Sequence, residues 1–91
     1  MPTLFLVGRY RVVIYSNDHD HEPAHVHAVG PDGYARFALG EKRGEVALME
    51  AEGIPRGSLH RIAAAIIDRH SECKKLWNSI HGDQVGNRKG R

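Results

Sequence analysis

Four of the seven histidines in this chain lie between His19 and His27. The stretch reads Ser16-Asn17-Asp18-His19-Asp20-His21-Glu22-Pro23-Ala24-His25-Val26-His27. Imidazole titrates near neutrality and ligates transition metals, so this is where the chain concentrates its chemistry. One chemistry is metal binding. His21, His25, His27 and Asp20 would supply three nitrogens and a carboxylate to a divalent transition metal, zinc first, with His19 or Asp18 as substitutes. An open position on such a metal activates a water for hydrolysis. A second chemistry needs no metal. His25 and His27 act as general base and general acid on RNA, one taking the 2′-hydroxyl proton and the other protonating the leaving oxygen. Arg36, Arg11 or Arg9 would stabilise the phosphorane charge, and Tyr34 would orient or donate a proton.

Each reading has a plainer counterpart. Short histidine-rich tracts are compositional hints, and such side chains often form only a polar, hydrogen-bonded surface. Any single arginine is more often a solvated cross-strand partner. Glu22, beside Pro23, reads as a loop carboxylate. A third reading is a binding module without chemistry, in which the sheet face, Lys42-Arg43 and the basic end Asn87-Arg88-Lys89-Gly90-Arg91 hold a protein or a nucleic acid.

The elements that position these residues follow from periodicity. Ala24 to Val29 alternates as a strand, so His25 and His27 share a face with Cα atoms about 6.5–7 Å apart, and Val26 points the other way. Pro23 keeps the preceding loop out of helical geometry. Gly30-Pro31-Asp32-Gly33 is a turn, and Tyr34 to Leu39 returns as the partner strand. Val26, Ala28, Ala35, Phe37 and Leu39 form the apolar set and point inward. By elimination, His25 and His27 share an outer, polar cleft face with Tyr34 and Arg36. Earlier in the chain, Leu4 to Val7 and Arg9 to Tyr15 read as a hairpin about Gly8. Glu45 to Met49 reads as the last strand, with Val46 and Leu48 inward.

From Ile54 the period changes. Leu59, Ile62, Ala63, Ile66 and Ile67 mark one face of a helix that starts at Pro55. Cys73, Leu76, Trp77 and Ile80 mark a second helix, for which Ser71 is the candidate N-cap. Cys73 and Trp77 read as core, and His60, His70 and His81 as structural or surface. The expected fold is α+β, a small antiparallel meander of four to five strands covered on one face by two C-terminal helices. It forms one domain over residues 1–81, with a disordered basic tail over 82–91.

Composition bounds the function. A chain of 91 residues with net charge +2 carries too weak an excess to identify a nucleic-acid partner. One cysteine forms no internal disulfide, which favours a reducing cytoplasm. No apolar run reaches the roughly 20 residues needed to span a bilayer, and the N-terminus has no signal-peptide pattern.

Tyr15-Ser16-Asn17-Asp18-His19, followed by Pro23-Ala24-His25-Val26-His27, resembles the small bacterial domain-of-unknown-function family 4160. Its members carry Tyr/Phe-Ser-Asn-Asp-His before Pro-x-His-x-His, then a strand pair and a C-terminal helical region. Lys75-Leu76-Trp77-Asn78 resembles the family's ending. This chain departs by doubling Asp-His, at Asp18-His19 and Asp20-His21. His21 stands at the usual distance from Pro23, and His19 fits the Ser-Asn-Asp-His wording. The resemblance implies proteins encoded beside a second small protein, in pairs of toxin–antitoxin type. The expectation is therefore a cytoplasmic protein of that type, a ribonuclease or metal-dependent hydrolase. RNA and a small antitoxin-like protein would be its partners. The alternative is a non-catalytic partner- or nucleic-acid-binding module.

Overall fold

The structure, a computed structural model, describes residues 3–15 and 23–82. Strand β1 (Thr3–Val7) turns through Gly8, at φ +60°, into β2 (Tyr10–Val13). Then come β3 (His25–Val29), β4 (Tyr34–Leu39) and β5 (Val46–Glu52). Each strand pairs antiparallel with the next, giving a five-stranded meander in the order β1-β2-β3-β4-β5. Helices α1 (Arg56–Asp68) and α2 (His70–Trp77) follow, and a π-helical turn (Asn78–Gly82) ends the described chain. The α+β architecture expected from the hydrophobic pattern is the one observed. The expected tail beyond Gly82 lies outside the described residues. No described helix is long and apolar enough to cross a membrane.

The core is built where the two periods meet. Val12, Ile14, Val26, Ala28, Ala35, Phe37 and Leu39 come from alternate strand positions, and Ile62, Ile66, Cys73 and Trp77 from the helical stripe. Cross-strand partners share a face, and Val12 opposite Ala28, with Ala28 opposite Ala35, forms the centre of the packed side. Removing these apolar surfaces from water is the main term holding so small a fold together.

Three local expectations need correction. Strand β5 runs to Glu52 rather than stopping at Met49, because the ladder with β4 continues to Tyr34 opposite Glu52. Helix α2 begins at His70, not after a Ser71 cap. Arg69 leaves helical geometry at φ −113°, ψ 25° and breaks the stripe one residue earlier, with no side-chain cap bond. Leu48 keeps 51 % of its surface exposed and Ile67 47 %. Both stand on the inward-facing pattern, but about half of each side chain stays uncovered by the described residues.

One irregularity matters for the site. Between β4 and β5, Phe37 pairs with Leu48 but Arg36 pairs with Glu50. Met49 is thus an extra residue, a β-bulge. Without it Met49 would face Arg36; with it the partner is a carboxylate.

Candidate functional site

Alternation along β3 acts as the sequence implies. Val26 is in the core, and His25 and His27 occupy the other face, opposite Ala38 and Arg36 of β4. That face is nevertheless not an open polar recess. His25 is only 1 % exposed, and His27 is half-buried. The reason lies at the far end of the chain. Helix α2 and the π turn carry Trp77 and His81 to the start of β3. The His25 and Trp77 ring centroids are 5.0 Å apart, and Trp77 and His81 4.1 Å. On the other side, His25 lies 5.1 Å from His27, and His27 lies 4.6 Å from Tyr15. His81 closes the circuit by donating from Nε2 to the Tyr15 carbonyl at 3.1 Å. Three further rings, Tyr15, Trp77 and His81, therefore flank the predicted pair.

The hydrogen bonds to backbone carbonyls fix the tautomer of the rings. A carbonyl oxygen only accepts, so His25 Nδ1, 2.8 Å from the Pro23 carbonyl, carries the proton. In the neutral ring the lone pair then sits on Nε2. A backbone carbonyl holding one imidazole nitrogen is the usual way a ligand or general-base histidine is oriented. By the same reasoning His70 donates from Nε2 to the Gly40 carbonyl at 3.0 Å, which pins α2 to the β4–β5 turn. His60 is exposed on α1.

Arg36 and Tyr34 reach the same face as the histidines, and Glu50 engages both. Arg36 Nη2 lies 2.9 Å from Glu50 Oε1, and the Tyr34 hydroxyl donates to Oε2 at 3.0 Å. The hydrogen bond to Glu50, together with its negative charge, raises the Tyr34 pKa above the ordinary phenol value. Arg36 Nε is buried and has no hydrogen-bond partner among the described residues. Arg11 stands on β2 opposite Val29, two positions along from Val13, which faces His27. Arg9 lies in the β1–β2 turn, at the opposite end of the sheet from His25. Asp18, His19, Asp20, His21 and Glu22 lie outside the described residues. Among the described residues no three His, Cys, Asp or Glu are grouped to hold a metal.

His81, expected to be structural or surface, is buried and belongs to the ring circuit around His25. It was legible in the spacing: Cys73, Trp77 and His81 recur every four residues on the stripe that faces the sheet. Cys73 is buried, and burial pushes its thiol up to about 11, so it is protected rather than reactive.

Residues 10–78 match the family described as Domain of unknown function (DUF4160). The matched span holds His25, His27, Arg36 and Trp77 but stops short of His81. No curated protein and no solved structure matches the chain.

Proposed function

The chain belongs to the DUF4160 family, and from that premise we propose a small protein of toxin–antitoxin type. Its His25–His27 centre acts on a phosphate-bearing target such as RNA. The observation that carries this reading is the imidazole pair itself: two rings 5.1 Å apart on one strand face, with the tautomer of His25 set by the Pro23 carbonyl. His27, the more exposed ring, meets the target. His25 presents Nε2 from behind it. One imidazole takes the 2′-hydroxyl proton and the other returns a proton to the leaving oxygen. Arg36, directly opposite His27, offers charge to the phosphate once the phosphate competes with Glu50 for its guanidinium. Tyr34 keeps Glu50 in place. A divalent metal, zinc first, would be held by His25 and His27 together with His21 and Asp20, which lie outside the described residues, and would supply an activated water. The antitoxin-like partner rests on the family resemblance alone.

The test combines three measurements on untagged protein: bound metal by elemental analysis, cleavage of a structured RNA, and growth on expression. The wild type should cleave RNA and arrest growth. His27→Ala should lower cleavage by about 10²–10⁴-fold while its circular dichroism stays native. Cleavage that depends on added zinc and on stoichiometric bound metal selects the metal route. A harmless wild type that cleaves nothing refutes the catalytic reading and leaves the binding module.

A further inference from the structure

We propose that a second site binds a phosphate monoester carrying hydroxyl groups, the chemistry shared by a free mononucleotide and the 5′ end of an RNA strand. The site is a cleft of about 360 Å³ at the end of the sheet away from the histidines. The β1–β2 turn supplies Arg9, the β3–β4 turn Asp32, and α1 with its approach supplies Pro55, Ser58 and Arg61. Tyr10 forms the floor.

The cleft is built into the fold rather than assembled by its ligand. Tyr10 is 5 % exposed, and its hydroxyl donates to Asp32 Oδ1 at 3.0 Å. Gly30 is bare because a Cβ there would overlap the Tyr10 ring. Gly33 is bare because a Cβ would strike the Glu52 carbonyl and the Gly53 backbone, and Gly53 itself sits at φ +77°. The β3–β4 turn and the β5–α1 corner therefore interlock backbone to backbone. This fixes Asp32, Tyr10 and the start of α1 relative to one another, and a preformed cleft has little ordering cost on binding.

The charges define the ligand. Neither Arg9 nor Arg61 has an ion-pair partner among the described residues, and Arg61 is engaged only by Ser58 Oγ at 3.5 Å. Two uncommitted guanidiniums at one cleft suit a dianion. A phosphate monoester carries about −1.5 to −2 charge at neutral pH and accepts from arginine in bidentate fashion. Asp32 opposes any anion, so the phosphate sits on the arginine side and the ligand's hydroxyls face Asp32 and Ser58. The volume lies at the small end of ligand clefts, which fits one nucleotide rather than several. None of these residues belongs to the histidine centre, so the site stands or falls apart from that reading.

The test is isothermal titration of the full chain with AMP, adenosine and inorganic phosphate. AMP should bind with sub-millimolar affinity, inorganic phosphate more weakly, and adenosine not measurably. Arg9→Ala and Arg61→Ala, both at exposed positions, should each weaken AMP about tenfold or more. Asp32→Asn should erase the preference for AMP over inorganic phosphate. His27→Ala should bind AMP as the wild type does. A 5′-phosphorylated RNA that binds more tightly than AMP, and loses that affinity in Arg9→Ala and Arg61→Ala, assigns the cleft to RNA ends, and one whose binding is weaker or unchanged in those variants assigns it to free nucleotides. No saturable AMP binding below about 10 mM would overturn the proposal. So would AMP affinity unchanged in both arginine variants, or lost in His27→Ala.

Discussion

Removing the His81 ring should cost more than its position near the end of the described chain suggests. His81 is 4 % exposed, 4.1 Å from Trp77 by ring centroid, and hydrogen-bonded to the Tyr15 carbonyl at 3.1 Å. Losing the bond strands an acceptor that is only part-buried, which places that cost near the low end of its range, about 1–1.5 kcal/mol. The ring contact adds about 0.5–1.5 kcal/mol. His81→Ala should therefore lose about 1.5–3 kcal/mol from a total of about 5–14 kcal/mol for a chain of this length. At about 4–8 °C per kcal/mol, the melting temperature should fall by at least about 6 °C. Urea unfolding can be followed by the fluorescence of Trp77, the chain's one tryptophan, and by far-ultraviolet circular dichroism. His81→Phe keeps a ring without the donor and should recover the ring share alone. His60→Ala, at an exposed helical site, should stay within about 0.5 kcal/mol of wild type. If His81→Ala also stays within about 0.5 kcal/mol and leaves Trp77 emission unchanged, the ring circuit does not hold this end of the molecule.

Cys73 should resist thiol reagents in the native protein at pH 8 and react at once in urea, with rates read by absorbance. Its folded-state pKa is raised from 9.0 to about 11, so its contribution to stability is intact below pH 9 and is lost as pH rises toward 11. Chemical denaturation across that window should show a steeper decline for wild type than for Cys73→Ala. Glu50→Gln should return the Tyr34 phenol toward its ordinary range, seen as one tyrosine ionising earlier in an ultraviolet pH titration, with at most about 1 kcal/mol lost from the exposed Arg36 pair. A tyrosine titration identical to wild type would contradict the clamp. Gly33→Ala forces a methyl group onto the Glu52 carbonyl and should destabilise by about 1–3 kcal/mol in urea titration, whereas Gly57→Ala, where a Cβ meets nothing, should not.

Local rules made much of this protein legible. Alternation of Val26 and Ala28 with His25 and His27 assigned the two faces of β3 without any knowledge of what covers them. Pro31-Asp32-Gly33 marked the turn, and the spacing of Ile62 and Ile66 marked the buried side of α1. Period reports the side on which a residue lies, because backbone geometry alone dictates it. It does not report what lies over that side. The burial of His25 depends on where α2 ends and on a π turn that swings His81 inward. The pairing of Arg36 with Glu50 depends on a single bulged residue, Met49, which shifts the register by one and exchanges a thioether for a carboxylate. Such facts involve residues far apart in the chain, whose meeting is settled by packing and register rather than by any neighbour in sequence.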